Sequence, residues 1–180
     1  MRALGPGSVS SFVKVVLDVL HFVLWAALAA GAIALIAVLL LSFRPDLLDR
    51  LFQASAPPIE AAWIGPITAA ALLFGDLYLA GAIVIVGRLR RIFRTLIAGD
   101  PFHPQNVNRL RVIGATLALL ELGRYAAKAI AHVLGRFAGG SLRFDGAINF
   151  TAWFAVLVIV VLAEVFKEGA RLRGEAELTI

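Results

Sequence analysis

No cysteine occurs among the 180 residues of this chain. Disulfide exchange, thiolate nucleophiles and cysteine-held metals are therefore outside its chemistry. Charge is scarce as well: 16% of residues are charged, against roughly a quarter in an ordinary soluble domain. Histidine occurs only at His21, His103 and His132, too widely separated to share one zinc or haem. There is no His-Glu-x-x-His. Gly139-Gly140 beside Ser141 reads as a plain turn, not a phosphate cradle. The serines fall in an N-terminal arm, at segment ends and in loops, so an intramembrane serine nucleophile is not expected. The sequence thus predicts no catalytic residue, no metal and no cofactor.

What the chain has in quantity is apolar surface. Hydrophobic residues make up 61%, the balance of a protein whose solvent is largely lipid. A helix needs about 20 apolar residues to cross a hydrocarbon core of about 30 Å. Four segments reach that length, at about Val19–Phe43, Ala61–Val86, Leu110–Leu134 and Ala147–Phe166. The first is too long for a signal-peptide core and has no convincing cleavage site, so it reads as an uncleaved span. Arg44-Pro45 ends it, because the residue before proline is pushed out of helix. Trp63 reads as an interfacial anchor of the second. The third is the least hydrophobic, interrupted by Glu121, Arg124 and Lys128.

Basic residues set the threading. Arg2 and Lys14 precede the first segment, Arg88, Arg90, Arg91, Arg94, Arg109 and Arg111 lie between the second and third, and Lys167, Arg171 and Arg173 follow the fourth. The other two loops carry only Arg44, Arg50, Arg136 and Arg143. The positive-inside rule then places both termini in the cytoplasm, with a cytoplasmic loop at 87–109 and a tail at 167–180. The net charge of +5 is accounted for in this way and calls for no direct contact with nucleic acid. The expected architecture is all-α, a single integral membrane domain over 1–180, an N-in/C-in bundle of four transmembrane helices. Its arm, SSFVKVVLDVLH, reads either as a surface-lying helix or as an overhang of the first span. Its tail reads as a short solvated extension.

Between the second and third segments stands AGDPFHPQNVNRLRVIG, Ala98–Gly114. Gly99-Asp100-Pro101 is turn chemistry. Pro104 suits the first position of the next helix, which puts His103 at the N-cap. Phe102 and Val107 occupy the positions of a hydrophobic staple, and Asn106, at the third helical position, is placed to cap back. The density of specific polar groups still exceeds what a reversal needs.

This stretch resembles the signature of a bacterial four-span membrane family filed as domain of unknown function 2975. The pattern is Gly-x-Pro-Phe, two variable residues, then Asn-x-x-Arg-Leu-Arg-x-Ile-Gly. It corresponds here to Gly99, Pro101, Phe102, Asn106, Arg109, Leu110, Arg111, Ile113 and Gly114. The ending EAELTI is similar to the acidic-Leu-Thr-aliphatic ending common in that family. The family has no established activity. Its genes often lie beside those of small helix-turn-helix regulators, so the resemblance implies a membrane partner of a cytosolic transcription regulator.

The remaining candidates are charges at mid-depth. Asp76 lies thirteen residues past Trp63, and Glu121 and Arg124 lie ten and thirteen past Arg111, which at the helical rise puts each about 15–20 Å from an interface. A charge there costs about 2.5–3.5 kcal/mol on insertion scales, so these residues are expected to face one another. Glu121, Arg124, Lys128 and His132 form one helical stripe. Glu121 can serve Arg124 from the same helix, and Asp76 is the expected interhelical partner, with Tyr78 and Tyr125 as further donors. Glu164 is placed to reach Arg111 or Arg88. A balanced set reads as a buried network that fixes which helix faces which. The competing reading is an ion relay or ligand pocket lined by Asp76, Glu121, Arg124 and Lys128. Gly31, Gly75, Gly81 and Gly87 read as close-packing points.

Together these readings predict a protein of the bacterial inner membrane. It is regulatory or sensory, acting through cytoplasmic protein contacts, and its partners are the bilayer, a cytosolic regulator or another membrane subunit. The alternative is a small transporter or channel subunit using the same charges. Oligomerisation is left open.

Overall fold

The computed structural model describes residues 9–42, 61–137 and 147–177. Four α-helices account for nearly all of them: α1 (Val9–Ser42), α2 (Ala61–Ile97), α3 (Pro104–Phe137) and α4 (Phe150–Glu177). The arm is thus part of α1 and continues without a break into the apolar run. The segment after Phe166 does not peel away either, since α4 runs on to Glu177.

Three of these helices are long and apolar enough to cross a membrane, over Phe12–Leu41, Gly65–Ile97 and Phe150–Ala176. The expected third span, on α3, does not reach that standard by composition, because Glu121, Arg124 and Lys128 interrupt it and Arg109 and Arg111 stand at its start. Large apolar side chains point outward along the other three, among them Phe22, Ile33, Leu77, Phe154 and Leu157. Exposed apolar surface on this scale suits lipid, not water. With their backbone groups bonded within the helix, such segments are the form a hydrocarbon solvent accepts.

The chain packs as two compact units. One comprises the residues up to Trp25, Gly81–Glu121 and those from Asn149 on; the other comprises Ala26–Ala80 and Leu122–Ile148. In the first unit Ile92, Leu110, Ile113 and Ala163 form the buried core, with Ile85, Leu117, Ile159 and Phe166 packed against it. Contacts within that unit run in opposite senses along successive helices. Asp18 meets Arg90 and His21 approaches Gly87. Arg109 reaches Arg91. Arg111 meets Glu164, and Gly114 packs on Ile159. Each helix is therefore antiparallel to the next where they touch.

Candidate functional site

The stretch from Arg94 to Arg111 builds an elbow whose every turn has a physical cause. Gly99 adopts φ +80°, a conformation that costs an ordinary L-residue its Cβ clearance. Its N–H donates to the Leu96 carbonyl at 3.1 Å, and the Asp100 N–H donates to the Thr95 carbonyl at 2.9 Å. That pair of bonds is a Schellman close to α2. Pro101 follows and cannot continue the helix. Two residues later His103 caps α3 as expected. Its Nδ1 accepts the Gln105 N–H at 3.2 Å, and its carbonyl accepts the Asn106 N–H at 2.8 Å.

Asn106 is the centre of the elbow. It is fully buried, and its amide donates to the Thr95 hydroxyl at 2.7 Å and the Pro101 carbonyl at 3.0 Å. Its Oδ1 accepts from Arg109 at 2.9 Å. The side chain therefore staples α3 to the end of α2; the expected cap back onto its own helix start is not the bond it makes. Thr95 in turn donates to the Ile92 carbonyl at 2.7 Å. Arg109 completes the arrangement with bonds to the Arg91 carbonyl at 3.0 Å and Gln105 Oε1 at 2.8 Å. Burial, and then the nearby charges of Arg91 and Arg88, hold the Arg109 pKa below the usual arginine value. It remains charged at any physiological pH.

The elbow is also fastened to α4. Phe102 occupies the place where a Cβ on Gly169 would stand, only 2.4 Å from its Cδ1, and its ring lies 5.7 Å from that of Phe166. The staple position of Phe102 is thus used to reach α4. Asp100 pairs with Arg173, and Arg111 pairs with Glu164 at 2.9 Å, one of the two partners expected for that carboxylate. Phe166, Gly169 and Arg173 are spaced by three and four residues, so they share one face of α4. The motif residues Gly99, Pro101, Phe102, Asn106, Arg109 and Arg111 are brought together in one structure. Thr95, Gly169 and Arg173 were missed from the sequence. A glycine inside an otherwise charged helical tail was the available signal.

The mid-depth charges fall differently. The Asp76 carboxylate lies over Gly31 of α1, so close that a Cβ there would stand 1.9 Å from Oδ1. Among the described residues it has no hydrogen bond or ion pair. The expected Asp76–Arg124 pair is therefore not formed: a glycine notch on α1 gives the carboxylate its space. Arg124 stacks over the Tyr125 ring, 5.2 Å from its centroid. Glu121 is buried. Lys128 lines an almost wholly apolar cavity of about 310 Å³, together with Ile67, Ala70, Ala71, Phe74, Ala127, Ile130 and Ala131. Its ammonium has no partner among the described residues. Of the glycines, Gly31 and Gly81 are close-packing points, the latter against Leu120, while a Cβ at Gly75 would meet nothing within 4 Å.

A further polar contact joins α1 to α2. Asp18 pairs with Arg90 at 2.5 Å. One turn on, His21 Nε2 accepts the Trp25 indole N–H at 3.2 Å, leaving His21 Nδ1 and Arg90 Nε buried without partners among the described residues.

No curated protein and no solved structure matches this chain. One family does, that described as Protein of unknown function (DUF2975), over residues 52–180. The matched range takes in α2, the elbow, α3 and α4, and leaves α1 outside. With well over half of its length matched, and with the Gly99–Gly114 signature forming one folded elbow, the chain belongs to the DUF2975 family.

Proposed function

We propose that this protein is a four-span, N-in/C-in component of the bacterial inner membrane that regulates or senses through contacts made by its cytoplasmic face. In this reading it works by protein contact and not by catalysis. The observation that carries it is the seat of Phe102 in the Gly169 notch, with Asp100 paired to Arg173 beside it. The turn after α2 and the last turns of α4 meet at one end, and on the four-span reading α3 runs back across the membrane from that end. Packing against neighbours is what allows a helix with this much charge to cross. A shift of α3 then moves the elbow joined directly to it, and the elbow moves the end of α4. Arg91 and Arg94 are exposed there, and their guanidinium groups have no partner among the described residues. They offer an acidic protein surface a place to dock.

The test is a photo-crosslinking residue at Arg94 in native membranes, combined with deletion of the gene. The expected result is an adduct with a cytosolic regulator and altered transcription. No adduct and an unchanged transcript profile would reject the reading.

A second reading, a small transporter or channel subunit, is favoured by the Asp76 carboxylate. An intramembrane acid without a partner marks an ion path more often than a structural tie. Proton or cation flux in reconstituted vesicles, lost in Asp76→Asn, would support it. Absence of flux would remove it.

A further inference from the structure

The cavity at Lys128 is lined by residues of α2 and α3. Ala70 and Ala71 on α2 and Ala127 and Ala131 on α3 are too short to fill the space between their helices, while Phe74 gives it a wall. The resulting volume of about 310 Å³ is at the small end for ligand pockets. Lys128 is the one charged residue that lines it, its stem adding to the apolar wall, and its ammonium has no partner among the described residues. Apolar walls with one unneutralised cation are complementary to an amphiphile with an anionic head.

Depth identifies which amphiphile. On the four-span threading, on which this inference rests, Lys128 lies seventeen residues beyond Arg111, about 25 Å at the helical rise. In a core of about 30 Å that is just below the outer headgroups. A lysine stem is long enough to carry its ammonium the remaining distance. We propose that this groove holds an acyl chain of an outer-leaflet anionic phospholipid, with Lys128 Nζ donating to its phosphate. A zwitterionic lipid meets the same walls, but its own ammonium offsets the phosphate and removes the net attraction.

The test uses the full chain in mild detergent, with phosphatidylglycerol and phosphatidylcholine added in equal amounts and bound lipid counted by native mass spectrometry. The expected result is one phosphatidylglycerol per chain, retained in clear preference to phosphatidylcholine because only the former carries a net negative charge to set against Lys128. Lys128→Gln brings the two lipids to parity, Lys128→Arg keeps the preference, and Ala71→Phe, which fills the groove, lowers retention of both. Circular dichroism of each variant separates loss of lipid from loss of fold. A preference unchanged in Lys128→Gln, or retention unchanged in Ala71→Phe, overturns the proposal, as does a dimer of this chain that excludes lipid. Cysteine labelling at Asn108 and Ile148 reads the threading separately, so a correct threading with no lipid preference counts against the groove alone.

Discussion

The side-chain amide of Asn106, at the start of α3, donates to the hydroxyl of Thr95, at the end of α2, at 2.7 Å. This bond closes the elbow from its buried side, where Asn106 is fully enclosed. Replacing Asn106 by alanine leaves the Pro101 carbonyl and an Arg109 N–H without this partner. The expected cost is about 1–3 kcal/mol, the usual penalty for stranding buried polar groups. Thermal unfolding of the detergent-solubilised variant, followed by circular dichroism, reads it. Thr95→Val should cost less, because Asn106 keeps its bond to Pro101.

The Phe102 ring and Gly169 make a steric prediction. Gly169→Ala places a methyl group within 2.4 Å of Phe102, an overpacking expected to cost about 1–3 kcal/mol. Phe102→Ala removes the obstacle. The double variant should therefore be more stable than the sum of the single changes implies, and a double-mutant cycle measures that coupling. Strict additivity would mean that the elbow and α4 are not in contact.

Asp76 and Gly31 allow the same logic within the membrane. Gly31→Ala should destabilise the protein, because the new methyl and the carboxylate claim one space. Asp76→Ala in the same chain should relieve it. An Asp76 tied to Arg124 predicts the opposite pattern, with Gly31→Ala tolerated and Arg124→Ala repaired by Asp76→Ala.

Arg111 and Glu164 are both more than half exposed. Exposed ion pairs contribute little to stability, so Arg111→Ala should leave the melting temperature almost unchanged. If the elbow is a docking surface, the same change should weaken crosslinking from Arg94. The two readouts separate a role in binding from a role in folding.

Local chemistry was legible in the sequence and distant chemistry was not. The Gly99 close and the His103 cap follow from residues within a few positions of one another, and both stand as expected. Asn106 was legible as an unusual polar residue, but its main partner, Thr95, sits eleven residues back on another helix. Charge alone points Asp76 to Arg124, whereas in the structure its carboxylate lies over α1, at a glycine whose role depends on which helix faces it. The tail reads as solvated because its charges dominate its composition, yet Gly169 and Arg173 share one face with Phe166 that packs against the elbow. α3 is the clearest case. Its charges lower its hydropathy below that of a span, although it packs antiparallel against α2 and α4 where they touch.

Whether α3 crosses decides the proposed threading, and the absence of cysteine makes it directly measurable. Single cysteines at Asn108, Ile148 and Glu175 can be probed in spheroplasts with a membrane-impermeant maleimide. The four-span threading predicts that Ile148→Cys is labelled from outside, while Asn108→Cys and Glu175→Cys react only after permeabilisation. Asn108→Cys and Ile148→Cys labelled from one side, with Glu175→Cys on the other, would mean that α3 does not cross, and would contradict it.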